Sequence, residues 1–457
     1  MKVALLSLLL VLTCACIDSD WSLSRPFQVS SVSESFCTAF ENITSALRAA
    51  TGLQSAHVAF LSSARIPPWT VNTTLTLEAD FNDIGVEGKL LVTGNLTLRN
   101  ATLTSDFVTD YVFNVRGTLT LVHCTLRNFV SAPIYVGGQV TVLDSQIREN
   151  GEGVFKLVAW GGMLRVENTE FERNSATTGA VFFIYPASGN QLIQVLISKC
   201  QFRGNTAKEA GSVVSANDIG LTSPPTPLQV VFAECSFASH PTVPFQLTLS
   251  HSAFSLQHCQ FTNETQVIVG TLVFTNLTLS DIEVTYSQGP LISLKMTGVV
   301  VVISSTFAHI WGGPVLAIAG ESVASSFVSL SDLRLSNMTN MDVIIFGVLI
   351  NAHFVSIQLS EVEIRSYQAS TYGVCNIVSS VLYVTGLRVY NGTHRNALGM
   401  VCLSTVDMRD FIFDRLMCRS AVWVFFSVTG SITHITFTNI LGFFIQNSSI
   451  YTTNILD

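Results

Sequence analysis

Residues 166–184 read VENTEFERNSATTGAVFFI, and residues 197–214 read ISKCQFRGNTAKEAGSVV. Each stretch opens with a six-residue segment, a hexad, that ends on a phenylalanine, Phe171 in the first and Phe202 in the second. Two further residues, an asparagine, a step that contains glycine and a hydrophobic run follow in both. Because this order of residue types returns about 31 residues later, the pair indicates a chain that coils back on itself.

The hexad recurs along most of the chain. Its positions are in turn apolar, variable, turn-forming or polar, small or apolar, polar, and apolar. Fourteen copies fit, from LRNATL at residues 98–103 to ITHITF at residues 432–437, mostly about 24 residues apart. Two longer intervals, of about 31 and 35 residues, predict loops that bulge from the repeat. A regular spacing of this length without helical periodicity is typical of a solenoid of short strands.

The third position of the hexad predicts a corner between two strands. Its occupants are mainly Asn, Asp, His and Gly, which adopt a left-handed backbone most readily. Side chains alternate beyond the corner, so the fourth and sixth positions should point inward and the fifth outward. The third-position residues are Asn100, His123, Asp144, Asn168, Lys199, Glu234, His258, Asp281, Ser304, Asp332, Glu361, Gly386, Asp410 and His434.

These features predict an all-β fold, a single-stranded, right-handed parallel β-helix of about fourteen coils over residues 71–457. Stacked strands lie ~4.8 Å apart, so the coils would form a rod on the order of 65 Å long.

Residues 17–70 are predicted to form an N-terminal cap around an amphipathic helix at residues 31–52. Ser31 and Glu34 fit a capping box, and Gly52 stands where a helix ends. The apolar residues on one face of this helix are Phe36, Phe40, Ile43 and Leu47.

Residues 1–16 have the pattern of a secretory signal peptide, with Lys2 before an apolar run and small residues after it. The mature chain then contains no apolar stretch long enough to span a membrane as a helix. Nine N-x-S/T sequons also favour an extracellular or cell-surface location reached through a secretory pathway. The sequon asparagines are Asn42, Asn72, Asn95, Asn100, Asn263, Asn276, Asn337, Asn391 and Asn447.

Charge narrows the choice of partners. Only 12% of the residues are charged, the net charge is −8, and no basic block occurs, which argues against nucleic acid as a partner. Residues 420–456 contain no Asp, Glu, Lys or Arg. An apolar last coil without a capping helix predicts that further chain or a partner covers it.

The coil pattern over residues 98–440 resembles the right-handed parallel β-helix superfamily that includes pectate lyases and polygalacturonases. The segments FERN…TGAV at residues 171–181 and FRGN…AGSV within residues 202–214 look like the FxxN and GGA-I/L/V repeats of chlamydial polymorphic outer-membrane proteins. This resemblance implies extracellular display and often adhesion, and it carries over no catalytic residue.

Four cysteines, Cys124, Cys200, Cys235 and Cys259, occupy the inward fourth position of their hexads. They predict a column of small buried residues. Cys200, Cys235 and Cys259 lie in neighbouring coils, within reach of a disulfide, so one bond among them is the other interpretation. His123 and His258 precede two of these cysteines, but alternation sends them outward, so no metal site or cofactor is predicted.

If the protein is an enzyme that cleaves polysaccharides, carboxylate side chains are the expected catalytic groups. Glu167 and Glu170, with Arg165 nearby, form the best local cluster on the outer face. Glycoside hydrolysis needs two carboxyl groups that face one sugar. The resemblance to pectate lyases, which use calcium-binding carboxylates and an arginine base, leaves this cluster as a weak catalytic candidate.

The favoured prediction is a secreted or cell-surface protein with a binding, adhesive or structural role towards glycans or other surface partners. The alternative is a polysaccharide lyase or glycoside hydrolase of the pectate-lyase-like fold. The binding role is preferred to the enzymatic one because the sequence contains none of the local motifs that mark hydrolases or metal-dependent enzymes.

Overall fold

The computed structural model describes residues 27–31, 36–40, 43–51, 53–60, 63–79, 82–108, 110–157, 162–185, 192–217, 227–313, 315–320, 326–339, 344–346, 355–369, 375–378, 381–394, 399–402, 405–426, 428–447, 450–451 and 455–456. The predicted signal peptide, residues 1–16, lies outside the described residues.

Strands pair in parallel along three ladders, which are called the first, second and third face in their order within a coil. The first face contains Ser55–Phe60, Thr74–Ala79, Asn95–Arg99, Thr118–Val122, Gln139–Leu143, Gly162–Glu167, Ile193–Ser198, Leu228–Ala233, Ala253–Gln257 and Val381–Thr385. The second face contains Ala64–Ile66, Asp83–Val86, Thr102–Thr104, Thr125–Arg127, Gln146–Arg148, Glu170–Glu172, Gln201–Arg203, Ser236–Ala238, Gln260–Thr262, Glu283–Gln288, Thr306–Trp311 and Arg388–His394. The third face contains Trp69–Val71, Leu90–Val92, Phe113–Val115, Ile134–Val136, Phe155–Leu157, Phe182–Ile184, Val214–Asn217, Phe245–Ser250, Leu316–Gly320, Ile344–Phe346, Cys375–Val378, Gly399–Cys402 and Leu441–Asn447.

Longer strands run through more than one face. They are Ile268–Ser280, Ile292–Ile303, Ser326–Thr339, Ser356–Ala369, Thr405–Phe426 and Val428–Thr438, and the last pairs with Ile450–Tyr451 and Ile455–Leu456. Ser175–Thr178 and Thr206–Ala210 form a separate parallel pair. The prediction of an all-β parallel β-solenoid is confirmed by this pairing. The parallel ladder begins at Ser55–Phe60, earlier than residue 71, where the solenoid was predicted to begin.

The corner predicted at the third hexad position is present in every coil that carries a hexad. All fourteen third-position residues have positive φ, between 49° and 71°. Side chains on either side follow the predicted alternation, as at Asn168, where Thr169 and Phe171 are buried while Glu170 reaches the surface. The chain therefore turns at a fixed place in each coil, and the same hexad positions stack from coil to coil.

Stacked phenylalanines fill the core where the hexad ends. Phe171, Phe202, Phe237 and Phe261 are all buried, and each stacks nearly parallel on the next, with ring centroids 4.9, 4.9 and 4.6 Å apart. Because paired strands place equivalent residues about 4.8 Å apart, one ring per coil makes a continuous stack.

A ladder of buried asparagines lies three residues beyond this stack. Asn174 Nδ2 donates a hydrogen bond to Asn205 Oδ1 (3.0 Å), and Asn150 Nδ2 donates to Asn174 Oδ1 (2.9 Å). The same oxygens accept backbone N–H groups, and the second amide hydrogens reach carbonyls of the preceding coil, as in the bond from Asn174 to Ile147 O. The sequence motif with asparagine after phenylalanine is thus a buried hydrogen-bonded ladder that ties coils together.

His240 and Glu264 continue the asparagine ladder with side chains that are completely buried. His240 Nδ1 lies 2.8 Å from Glu264 Oε1, and Asn205 Nδ2 lies 3.5 Å from His240 Nε2. Glu264 Oε2 has no hydrogen-bond partner. Burial therefore raises the pKa of Glu264 above its ordinary value, although the hydrogen bond with His240 opposes the shift.

The N-terminal cap differs from the predicted helix over residues 31–52. The helix spans Ile43–Thr51 only, and Leu47 faces the core as predicted. Residues Phe36–Phe40 form a strand instead, because Phe27–Ser31 pairs antiparallel with it and with Ser55–Phe60. Within the described residues, the helices do not include one with the length and apolarity needed to cross a membrane.

The cysteine column contains free thiols rather than the disulfide that was offered for Cys200, Cys235 and Cys259. Cys200 Sγ donates to Ser198 O (3.1 Å) and Cys259 Sγ to Gln257 O (3.3 Å). A hydrogen bond with the Cys200 thiol, together with burial, raises the pKa of the Cys235 thiol. These cysteines, with Cys124, are small buried residues whose thiols donate hydrogen bonds to backbone carbonyls.

Candidate functional site

From Asn128 onward, a second left-handed corner lies at the end of the second-face strand or within it, and its residues stack into a column along the surface. The column runs through Asn128, Glu149, Arg173, Gly204, Ser239, Asn263, Tyr286, His309, Asn337, Ser366, Asn391, Arg415 and Asn439, with φ between 51° and 60° throughout. A left-handed corner points the side chain away from the core, so every column residue except Gly204 presents a side chain to solvent.

A groove of about 760 Å³, here called the corner groove, lies along part of this column. It is lined by Tyr286, His309, Trp311, Asn337, Met338, Thr339, Ser366, Tyr367, Gln368 and Asn391. Strand pairing explains its composition, because Trp311 lies opposite Thr339 and Thr339 lies opposite Gln368 in consecutive coils.

Exposed aromatic rings form one end of the corner groove. The Tyr286 and His309 rings stack with centroids 4.7 Å apart and planes 8° from parallel. Tyr286 is 55% exposed and Trp311 is 41% exposed. Aromatic residues are usually buried, so adjacent exposed rings in a concave surface favour a ligand with an apolar face.

The other lining groups are neutral hydrogen-bonding side chains. Thr339 and Ser366 supply hydroxyls, and Asn337, Gln368 and Asn391 supply amides. None of the lining residues is Asp, Glu, Lys or Arg. The groove can therefore stack against an apolar surface and exchange hydrogen bonds with hydroxyl groups, and its lining contains no carboxylate or ammonium group.

The structure divides the candidate cluster Arg165, Glu167 and Glu170. Arg165 Nη2 lies 3.0 Å from Glu167 Oε2 on the first face, where Lys199 Nζ also approaches Glu167 Oε1 at 3.9 Å. Glu170 lies beyond the corner on the second face. It lines a shallow depression of about 220 Å³ that also contains Asp144 and Lys199 but neither Arg165 nor Glu167.

Most sequon asparagines are exposed, and three share the second-corner column. Asn263, Asn337 and Asn391 all belong to that column, so sugars on them would follow one edge. Asn72, Asn95 and Asn276 are exposed elsewhere, and Asn100 is half-buried with its amide 3.2 Å from Glu78 Oε1. Asn42 and the side chain of Asn447 lie outside the described residues.

The corner histidines are directed outward, as predicted. His123 and His258 are exposed, while Cys124 and Cys259 are buried behind them. His258 Nδ1 lies 3.5 Å from Asp281 Oδ2 in the next coil. Across the described part of the chain, no three His, Cys, Asp or Glu side chains are grouped so that they could hold a metal ion.

Sequence reasoning did not find the corner groove. Tyr286 and His309 are 23 residues apart, and only the pairing register shows that their rings touch. One signal was present, since the sequons of Asn263, Asn337 and Asn391 all start two residues after the end of a hexad. These three asparagines are residues of the second corner, which lies two residues beyond the end of the hexad.

Comparison with solved structures finds PL6 alginate lyases at low similarity. A PL6 alginate lyase solved in complex with a trisaccharide is 10% identical, with 77% of this chain and 82% of that chain covered and a TM-score of 0.28. A mutant of the PL6 family alginate lyase AlyGC is 8% identical, with 91% and 99% covered and a TM-score of 0.25. The unmutated AlyGC is 8% identical, with 90% and 98% covered and a TM-score of 0.20. No protein-family model and no curated protein matches the chain.

Proposed function

We propose that the protein is a secreted or cell-surface binding protein and that its corner groove holds a neutral saccharide chain. The observation that carries this proposal is the stacked, exposed pair Tyr286 and His309 with Trp311 beside it, in a groove without charged lining residues. One face of a sugar ring is apolar and packs on aromatic rings, while its hydroxyls bond to amide and hydroxyl side chains.

The shape of the groove suits an extended ligand. Its column residues Tyr286, His309, Asn337, Ser366 and Asn391 come from five consecutive coils. At ~4.8 Å per coil they span roughly 20 Å along the rod, so a chain of several sugars can lie across them. A solenoid presents such sites in line, which supports an adhesive or scaffolding role on a surface.

A glycan-array screen with the full chain, followed by titration of the best neutral oligosaccharide, tests the proposal. Tyr286→Ala and Trp311→Ala should each weaken binding by about two- to ten-fold, as expected when one aromatic contact is lost. Phe274→Ala is the matched control, because Phe274 is 58% exposed and stacks on His251 outside the groove. If no neutral glycan binds, or if Phe274→Ala weakens binding as much as the groove variants, the proposal is wrong.

Attached sugars are predicted to compete for the same groove. Asn337 and Asn391 are sequon asparagines that line it, so a glycan on either side chain would occupy part of the groove. Enzymatic removal of N-linked sugars, or Asn337→Gln, should therefore strengthen binding of the added oligosaccharide in protein from a glycosylating host. Equal affinity before and after their removal would show that attached sugars do not reach the groove.

A second candidate function is polysaccharide cleavage at the depression that contains Asp144, Glu170 and Lys199. Glycoside hydrolysis uses two carboxyl groups that face one sugar, and Lys199 adds an ammonium group that can act as an acid or a base. Reducing-sugar and unsaturated-product assays over a panel of polysaccharides test it. Activity that is lost in Glu170→Gln, and kept in Tyr286→Ala, would place catalysis there and replace the binding proposal.

A further inference from the structure

Two arginines on the second face form a cluster that the corner groove does not involve. Arg127 and Arg148 occupy the same register in adjacent coils, so their Cα atoms are about 5 Å apart. They line a depression of about 420 Å³ with Ser63, Asn82, Asp83, Thr102 and Thr125. Like charges placed directly opposite on neighbouring strands destabilise a sheet, so the pair needs compensation.

Only one of the two guanidinium groups is compensated by a carboxylate in the depression. Arg127 Nη2 lies 3.1 Å from Asp83 Oδ1. The Arg148 side chain makes no hydrogen bond or ion pair with any described residue, although the backbone of Arg148 pairs with that of Glu172 in the ladder. The neighbouring carboxylate in the next coil, Glu172, is instead bound to Arg173 at 3.2 Å. The depression therefore carries a net positive charge in a chain whose overall charge is −8.

The burial of one guanidinium nitrogen in each arginine points to a missing acceptor. The Nε atoms of both Arg127 and Arg148 are buried without a hydrogen-bond partner. An unsatisfied buried donor costs about 1–3 kcal/mol, and more when it is charged. A planar guanidinium offers a fork of donors that matches two oxygens of one oxyanion. One such group would satisfy the free donors of Arg148 and reduce the repulsion between the arginines.

We propose that Arg148 and Arg127 form an oxyanion site for a carboxylate or sulfate group of a ligand that lies on the second face. The hydroxyls of Ser63, Thr102 and Thr125 complete the lining as neutral donors to the same group. This site is about five coils, or roughly 24 Å, from Tyr286 along the rod, and it does not depend on the proposed function of the corner groove.

The site is tested with the full chain and three kinds of probe: inorganic sulfate, a sulfated oligosaccharide and a uronate oligosaccharide, each titrated at low ionic strength. At least one probe should bind saturably, raise the melting temperature by mass action and lose affinity as sodium chloride is added. Binding of sulfate alone identifies a free-anion site. Preference for either oligosaccharide identifies the group as part of a saccharide.

Variants locate the site. Arg148→Gln should weaken binding of the preferred probe at least ten-fold, and Arg148→Lys should restore only part of it, because an ammonium lacks the fork. Arg334→Gln is the matched control, since Arg334 is exposed on the same face and pairs in register with Glu363. No saturable binding of any probe, or equal losses in Arg148→Gln and Arg334→Gln, would overturn the proposal. The neutral ligand of the corner groove should bind Arg148→Gln normally, which separates the two sites.

Discussion

Two parts of the solenoid stack aromatic rings at the same spacing, one inside and one outside. Between Phe171 and Phe261 the rings stack in the core at 4.6–4.9 Å. In the following coils Tyr286 and His309 stack at 4.7 Å on the second-corner column, where solvent reaches them. The spacing is set by strand pairing in both places. The two stacks differ only in the position of the coil that carries the ring, which faces the core in one and solvent in the other.

Buried rings contribute to the stability of the fold, whereas exposed rings are available for binding. Inside, a ring removes apolar area from water and fills a close-packed layer. Outside, the same ring leaves its face available to another molecule, and the fold gains little from it. The buried ladder from Asn150 to Glu264 belongs to the inner part, while the neutral amides of the corner groove belong to the outer part. Predictions that change one part and spare the other test this separation.

The largest expected effect comes from the inner stack. Phe237→Ala should lower the free energy of unfolding by about 3–5 kcal/mol, because a buried ring is replaced by a cavity and two stacked neighbours lose their contacts. Urea unfolding followed by circular dichroism measures it. Phe274→Ala, an exposed ring, should change stability by about 0.5 kcal/mol or less. Comparable losses in the two variants would break the separation of inner and outer rings.

A smaller loss is expected from the asparagine ladder. Asn174→Ala leaves Asn150 Nδ2 and the backbone N–H of Asn150 without their acceptor, which should cost about 1–3 kcal/mol. Asn168→Gly in the same coil is the control, since Asn168 is an exposed corner residue with φ of 49° that glycine adopts without strain. If both substitutions cost the same, the ladder contributes nothing beyond the corner geometry.

The buried pair of His240 and Glu264 predicts a dependence on pH. Burial holds the pKa of Glu264 above its ordinary value of 4.5, so the neutral carboxyl stabilises the fold below about that pH. This stabilisation is lost as pH rises through the folded-state pKa. Glu264→Gln cannot ionise and should therefore gain stability over the natural chain as pH rises from 4 to 8. Melting temperatures over that range measure it, with the exposed Glu283→Gln as control. A constant difference at all pH values would contradict the prediction.

The smallest effect on stability is expected from the outer stack. Tyr286→Ala should change the free energy of unfolding by about 0.5 kcal/mol or less, although it should weaken the proposed binding of a saccharide. Both quantities are measured on one preparation, by urea unfolding and by titration. A loss of stability as large as that of Phe237→Ala would mean that the outer rings hold the coil together, and the fall in binding would then report unfolding.

Much of the inner part could be predicted from the sequence because each coil repeats it. The hexad places Asn168 at a corner and Phe171 in the core, and the structure agrees at both residues. The motif Phe-x-x-Asn also predicts stacking of Asn174 on Asn205, since equivalent positions of adjacent coils must meet. In a solenoid, residues at the same position of neighbouring repeats contact each other, so the repeat pattern in the sequence also predicts these contacts.

The outer part could not be predicted in this way. Whether Tyr286 touches His309 depends on the register in which strands of adjacent coils pair. Whether Arg148 has a hydrogen-bond partner depends on which side chains that register places around it. The cap shows a related limit. Residues Phe36–Phe40 fit a helical face locally, but pairing with Phe27–Ser31 decides their conformation, and tertiary contacts of this kind override local propensity.

The left-handed corners also bear on how such a chain can change over evolutionary time. Lys199, Glu234 and Gly386 adopt the same corner conformation as Asn168, so the place in the coil matters more than the residue that fills it. Duplication or loss of one whole coil keeps every ladder in register, whereas a single inserted residue between the corners does not. The rod is thus free to lengthen or shorten in steps of ~4.8 Å, each of which adds or removes one outward residue from every column.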